Sequence, residues 1–574
     1  MKVLISFLSI LALGAAAPLD EDFGYVDVRP GAHMFWVTYH VDQAGVWTDY
    51  PLILWLQGGP GASGVGYGNF QELGPYYING TRRETAWTKK ANLMFVDNPV
   101  GSGYSYVDSL PLLTSTNQQI ADDMVALLKS VFTDYPDMSL MPFYIYCESY
   151  GGKMAVDIAL ALNQAIGNGE IVSDFRGVSL GDSWISPMDS VNTWGPFLYA
   201  MGFVNEQGRD TINAQAASCQ ALVDAGQWLD ATNCWSNTET VVLFQTGGVN
   251  FYNVLAEEDV YFLMAQPHSR DLSFMSPAVR SLYERHVEGI QTRDALGDFM
   301  NGAQAAHWNI PAEVTWGGQS GAVFNSLSED FMKPVVNSVV QLLETTNLFV
   351  AVFTGDLDLI CDTPGTYRWI ENMQWSGKAE FDATRRRTFN VPSYSSSAGY
   401  VQHSGNFAVF SILRSGHMVP IDAPEAALVM IDDILSFSGA AKDASKTKIT
   451  KPKMGDRTQT DLDETKVPKK LEAAEQKPMD THVETPKEKI SNTVKEAPKV
   501  QAEILKIQGE KIKSPEVAKA QADIARMRSM HPGLLKAKSG RKIDRTPVLD
   551  RKFPQKPKHF DDVQQVKPVI FKKP

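Results

Sequence analysis

The sequence predicts an α/β fold with a mostly parallel central sheet, a helical cap insertion and a disordered C-terminal tail. Three observations carry that expectation: short apolar runs alternating with helical periodicity, a stretch where the strand runs vanish, and a change of charge near residue 440. Of the 574 residues, 53 are Lys or Arg and 66 are Asp or Glu. They are unevenly spread. Residues 1–440 carry a net charge of −26, residues 441–574 carry +13, and all 12 Trp and 19 Tyr lie in the first part. An acidic, aromatic-rich folding unit is therefore followed by a basic, aromatic-poor extension.

Strand-like runs occur at Leu52–Leu56, Leu93–Val96, Phe143–Cys147, Val178–Leu180, Phe349–Phe353 and Phe407–Leu413. Helical patterns cover Ile120–Phe132, Lys153–Ile166 and Pro424–Phe437, the last with Pro at its first turn and Gly439 beyond its end. Such alternation places a parallel sheet between two helix layers. From Trp184 to about Gly321 helices dominate, so residues 184–321 read as a cap inserted between two core parts, 18–183 and 322–440. After Ala441, 12 of the 31 Pro are interspersed with Lys, Glu and Thr without apolar periodicity. Apart from helix formers within Val500–Met530, this tail buries too little apolar surface to offset its chain entropy. It reads as a solvated extension, with binding of anionic partners as its functional alternative.

The N-terminus has the layout of a secretory signal over residues 1–17: Lys2, an apolar run Val3–Leu13, and small residues Ala15–Ala17. That run is too short to span a bilayer, and no second run of 18 or more apolar residues follows, so no stable membrane span is expected. The destination is secreted or lysosomal. An oxidising route suits a disulfide between Cys219 and Cys234, and Asn79-Gly80-Thr81 is a glycosylation sequon. No Cys or His pair has metal-ligand spacing, so neither metal nor other cofactor is expected. The acidic main unit argues against nucleic acid as a partner. Homodimerisation is left open.

The chemistry concentrates in a few places. In Phe143-Tyr-Ile-Tyr-Cys-Glu-Ser-Tyr-Gly-Gly152 a strand ends, a turn presents Ser149, and an amphipathic helix begins. This is the strand–turn–helix setting of a nucleophile elbow, although Cys147 stands where the GxSxG pattern has its first Gly. In Leu52-Ile-Leu-Trp-Leu-Gln-Gly-Gly-Pro-Gly61 a strand enters a Gly-rich loop able to aim N–H groups at an oxyanion. Gly59-x-Gly61-x-x-Gly64 also fits a dinucleotide pattern, but Pro60 removes a donor and Gly66 and Gly68 interrupt the helix that motif must open. After the strand Phe349–Phe353 come Asp356 and Asp358, either of which fits a catalytic acid by spacing. After Phe407–Leu413 comes His417, between Gly416 and Pro420 rather than among the six other His of residues 1–440. The chain order Ser, Asp, His is that of a hydrolase triad. Ser183 in Gly181-Asp-Ser-Trp is a decoy nucleophile, lacking the small residues of an elbow.

With these residues in view, Trp55-Leu-Gln-Gly-Gly-Pro-Gly61, Val96-Asp-Asn-Pro-Val-Gly-Ser-Gly-Tyr-Ser105, Glu148-Ser-Tyr-Gly-Gly-Lys153 and Gly416-His-Met-Val-Pro420 resemble the serine carboxypeptidases of the cathepsin A and carboxypeptidase Y group. Leu180-Gly-Asp-Ser-Trp-Ile-Ser-Pro-Met-Asp-Ser190 and Asp330-Phe-Met-Lys-Pro334 are more similar to the retinoid-inducible branch. The resemblance spans about Phe23 to Phe437. It implies an α/β-hydrolase fold and a triad of Ser149, Asp358 and His417, with the second carboxyl of the Gly-Asp-Leu-Asp run selected. It further implies an oxyanion hole from the N–H groups of Gly59 and Tyr150. Recognition of a peptide or protein C-terminal carboxylate is implied for Glu148 and Gln57, supported by Trp55 and Glu72. Gln57 stands where most of the family has Asn, Ala62 where many members have Cys, and Cys361 where similar enzymes keep a thiol near the substrate pocket. The expected activity is hydrolysis of the last peptide bond through an acyl-enzyme, favoured by acid because Glu148 must be protonated to donate to a carboxylate. Acyl transfer or ester cleavage on the same triad, and a non-catalytic secreted binding protein, are the alternatives.

Overall fold

The structure, a computed structural model, describes residues 19–256 and 295–449, with side chains through residue 439. The expected signal segment 1–17, residues 450–574 of the expected tail and residues 257–294 of the expected cap lie outside the described residues.

Among the described residues eleven strands form one sheet. They are β1 (Glu21–Arg29), β2 (Ala32–Tyr39), β3 (Leu52–Leu56), β4 (Asn92–Val96), β5 (Tyr106–Val107), β6 (Pro142–Glu148), β7 (Asp174–Gly181), β8 (Phe349–Gly355), β9 (Arg387–Phe389), β10 (Gly399–Ser404) and β11 (Phe407–Ile412). The spatial order is β1-β2-β4-β3-β6-β7-β8-β11-β10-β9, with β5 on β2. The six strands from β4 to β11 pair in parallel, and both flanks are antiparallel. All six expected strand runs are in the parallel centre. The antiparallel flanks were not anticipated. Their β1–β2 hairpin turns at Pro30-Gly31, where Gly31 takes φ 73, and that dipeptide between two runs is a readable turn signal.

The parallel strands are apolar on both faces because both faces are covered. Alternation along β3 and β6 divides the core in two. Leu54 and Ile145 face the layer containing the helices Asn117–Asp134 and Tyr150–Gly167, while Trp55 and Tyr146 face the layer with the helix that starts at Pro424. That last helix runs as backbone to Ile449, past the expected end at Gly439. A glycine inside a helix costs only about 1 kcal/mol against Ala, and Ala440, Ala441 and Lys442 are good helix formers. The segment after β3 is also helical, contrary to the expected interruption: Gly64–Leu73 forms a wide π-type helix. Gly66 and Gly68 serve it by close approach, since a Cβ would lie 2.3 Å from Trp316 and 2.5 Å from Trp55.

Between β7 and β8 the described elements are mainly helices, including Glu206–Asp224 and Trp228–Thr246, joined by the Cys219–Cys234 disulfide. A buried ion pair ties this stretch to the helix Tyr150–Gly167. Lys153 Nζ lies 2.7 Å from Asp330 Oδ2 with both side chains nearly inaccessible, and the Tyr150 hydroxyl donates to the same oxygen at 2.9 Å. Burial lowers the Lys153 ammonium to about 8, against the pull of Asp330. Removing one partner strands the other charge. Lys153→Met is therefore expected to destabilise the fold by about 3–5 kcal/mol, read as a lower midpoint in urea denaturation.

Candidate active site

Parallel register brings the site together. Leu56 pairs with Cys147, so the next residues, Gln57 and Glu148, emerge side by side on the face of Trp55 and Tyr146. Cys147 pairs in turn with Leu180, Gly181 with Phe353, and Gly355 with Ile412. The carboxyl ends of five parallel strands thus deliver Gln57, Ser149, Asp182, Asp358 and His417 to one edge of the sheet, the usual place for ligands in open α/β folds.

Ser149 caps the helix Tyr150–Gly167 with φ 61 and ψ −130, a left-handed conformation that a side chain rarely takes. Its N–H is held by the carbonyls of Gly181 and Asp182, each at 3.1 Å. Space for this turn comes from neighbours without Cβ atoms: one on Gly58 would lie 2.4 Å from Ser149 Cβ, and one on Gly152 would lie 2.1 Å from Ser183 Oγ. Cys147 beside the turn is buried and donates to the Ser179 carbonyl at 3.2 Å, and burial pushes its thiol up to about 12. The decoy Ser183 donates to the Gly181 carbonyl at 2.9 Å and packs under the helix.

His417 Nδ1 lies 2.8 Å from Asp358 Oδ2, with both side chains buried. Asp356, left open by spacing, instead accepts from Ser415 N–H at 3.4 Å. Ser149 and His417 line the same cavity. No hydrogen bond joins them among the described residues; such bonds are commonly long in empty sites and tighten around substrate. The Tyr150 N–H opens its helix and has no intrahelical acceptor. Gly59 lines the same cavity as Tyr150, with φ 105 and close against Gln319, which donates to the Pro60 carbonyl at 2.7 Å.

A second polar group shares the cavity. Trp55 Nε1–H donates to Gln57 Oε1 at 2.8 Å, and Gln57 Nε2 donates to Glu72 Oε1 at 2.9 Å and Glu148 Oε1 at 3.0 Å. Burial first, and the charge of Glu72 next, push Glu148 well above the usual carboxylate range. Burial also raises Glu72, while hydrogen bonds from Glu148 and Gln57 pull it back. Glu148 is therefore the member that keeps a proton. Apolar walls complete the cavity, among them Trp184, Trp235, Phe324, Phe331 and Ile360. The loop Phe251–Val254 had no sequence signal, yet the Tyr252 carbonyl accepts His417 N–H at 2.7 Å and the Phe251 carbonyl accepts Leu359 and Ile360 N–H at 3.0 Å. Asp358, Cys361 and His417 bring ligand-type atoms within 4.8 Å of one another. Asp358 and His417 already bond each other, and burial holds the Cys361 thiol neutral, which makes the group a poor metal cage.

Comparison with known proteins gives the chain its family. The serine carboxypeptidase family model matches residues 14–436. The chain belongs to the serine carboxypeptidase family. It is 41% identical over 437 residues to the retinoid-inducible serine carboxypeptidase of Rattus norvegicus, covering 75% of this chain and 95% of the relative. The human protein of that name is 40% identical over 432 residues, covering 74% and 94%. Serine carboxypeptidase-like 51 of Arabidopsis thaliana is 37% identical over 431 residues, covering 72% and 92%. A crystal structure of Kex1(delta)p, a prohormone-processing carboxypeptidase from Saccharomyces cerevisiae, superposes with a TM-score of 0.61 at 20% identity over 73% of this chain and 91% of that one. That likeness concerns the fold, an α/β-hydrolase. As a serine carboxypeptidase, the chain is a hydrolase of peptide C-termini, and the retinoid-inducible resemblance agrees with the high-identity matches.

The buried carboxyls of this serine carboxypeptidase make its stability depend on pH. Asp97, which accepts from Ser63 Oγ and from Val65 and Tyr104 N–H, is raised by burial to about 6, and Glu148, Glu72, Asp182 and Asp362 are raised as well. A carboxyl raised on folding binds its proton more tightly in the folded state. Its contribution is full below the unfolded value near 4 and is lost as pH rises through the folded one. The melting temperature is expected to be higher at pH 5 than at pH 7.5, as calorimetry checks.

Proposed function

We propose that this serine carboxypeptidase works through Ser149 as nucleophile, His417 as general base and Asp358 as the acid that orients and stabilises the imidazolium. The observation that carries the reading is the 2.8 Å Asp358–His417 bond, with His417 lining the same cavity as Ser149 and the Glu148–Glu72 pair. His417 takes the Ser149 proton as Oγ attacks the last peptide carbonyl. The developing oxyanion is received by the N–H groups of Gly59 and Tyr150, with the positive end of the helix Tyr150–Gly167 behind it. His417 then protonates the departing amino acid, and water releases the acyl group by the reverse sequence.

Glu148 makes the enzyme an exopeptidase. Protonated, it donates to the substrate's terminal carboxylate; ionised, it repels it. Gln57, oriented by Trp55, holds Glu148 and Glu72 together until substrate enters, and then turns one of those two N–H donors to that carboxylate. Raised Glu148 keeps its proton in acid and loses it as pH climbs, so substrate binding weakens upward in pH. This favours an acidic compartment, and secretion or lysosomal delivery is the matching destination. Asn79, exposed in a turn where its Oδ1 accepts from Thr81, suits glycosylation on that route. Among the described residues no helix is long and apolar enough to cross a membrane. A homodimer and an anion-binding role for the tail belong to the same proposal.

The test compares a peptide with its C-terminally amidated twin between pH 4.5 and 7.5. The free peptide is expected to be cleaved faster at pH 5, with KM rising toward neutrality, and Glu148→Gln is expected to flatten that rise. Equal cleavage of the two peptides at pH 5 would remove carboxylate recognition from Glu148.

A further inference from the structure

Asp182 is a buried carboxyl that the proposed mechanism does not use. It follows β7, is 1% exposed and takes φ 38, a left-handed backbone strained for any residue with a side chain. Its polar groups all serve the catalytic loops. Its N–H donates to the Phe353 carbonyl at 2.8 Å, its carbonyl accepts Ser149 N–H at 3.1 Å, and its Oδ1 accepts Gly355 N–H at 2.7 Å. Oδ2 is buried with no group donating to it. The Asp358 carboxyl is near enough to raise it, and the two residues share one turn: Asp182 Oδ1 holds Gly355 N–H, and Asp358 N–H donates to the Gly355 carbonyl at 3.2 Å.

Two neighbouring carboxylates in a dry site resist being ionised together, and one shared proton turns their repulsion into a hydrogen bond. The environment decides which keeps it. Burial and the Asp358 charge push Asp182 well above the usual range, with only the Gly355 N–H and Thr354 opposing. Asp358 is otherwise held by His417 Nδ1 at 2.8 Å and by a long 3.3 Å bond from Cys361 N–H. A buried carboxylate that must face an imidazolium needs more donors than that to stay in one rotamer.

We propose that protonated Asp182 is a positioning residue for the catalytic acid, its carboxyl O–H donating to Asp358 and fixing the rotamer in which Asp358 meets His417. Because its carbonyl also holds Ser149 N–H, one residue sets both the nucleophile turn and the acid. The proposal rests on the triad reading and is independent of carboxylate recognition by Glu148.

Inactivation of the full chain by a fluorophosphonate reads the triad without needing a substrate carboxylate. Asp182→Ala is expected to lower the second-order inactivation rate by about 10- to 100-fold, and to lower kcat on a peptide by a similar factor with KM unchanged. Asp182→Asn, whose amide can donate to Asp358 while its oxygen accepts from Gly355, is expected to recover most of that loss. An Asp182→Ala protein labelled at the wild-type rate overturns the proposal. So does an Asp182→Asn protein that melts like wild type and is as slow as Ala. Where the Ala variant fails to fold, Asp182→Asn alone decides: folded and about tenfold slower or worse overturns the proposal, and folded and faster than that supports it. Wild-type protein that takes no label at Ser149 is a different failure, that of the triad reading.

Discussion

One residue held in a conformation it would not choose organises the active edge of this protein. Ser149 sits at φ 61 between β6 and the helix that follows, at a strain of about 1–3 kcal/mol. The turn is kept by what surrounds it. Its N–H is clamped by two carbonyls from the end of β7, and Gly58 and Gly152 leave room that any Cβ would fill. In the proposed mechanism this turn sets the Ser149 hydroxyl beside the first N–H of the helix. Packing of the neighbouring strands is thus converted into a fixed attack position.

The second constraint is electrostatic. Glu148, Glu72, Asp182, Asp358 and Asp362 are all buried near this edge, and among the described residues no Lys or Arg lines the cavity. In a site of low dielectric, protons must take the place of countercations. In the proposed mechanism pairs of carboxyls then divide the labour, one member keeping a proton and donating to its neighbour. Glu148 with Glu72 does this toward the substrate end, and Asp182 with Asp358 does it behind the imidazole. A scaffold of this kind is suited to acid, where its stability and its proposed substrate recognition move together.

The parallel centre was readable from sequence because strands buried on both faces are continuous apolar runs, as in Leu52–Leu56. The edges were not, because β1 and β10 are half-exposed and mix polar with apolar residues, and β9 spans only three. Ser149 and His417 announced themselves by the small residues that their turns need. Spacing could not separate Asp356 from Asp358, since both follow β8; only the fold of the loop onto Phe251 and Ser415 turns Asp358 toward the ring. Asp182 carries no sequence signal of its own, since the role of one carboxyl near another depends on how neighbouring strands bring them together. Tyr252 left no trace at all, since it acts through a backbone carbonyl that any residue could supply.

The central claim is that Ser149 carries the acyl group, with Gly59 and Tyr150 facing its oxygen. A crystal structure of the protein inactivated by a fluorophosphonate tests it most directly. The account predicts phosphorus bonded to Ser149 Oγ and a phosphoryl oxygen within about 3 Å of the N–H groups of both Gly59 and Tyr150. An adduct on another residue, or one at Ser149 whose phosphoryl oxygen points away from both N–H groups, would contradict it.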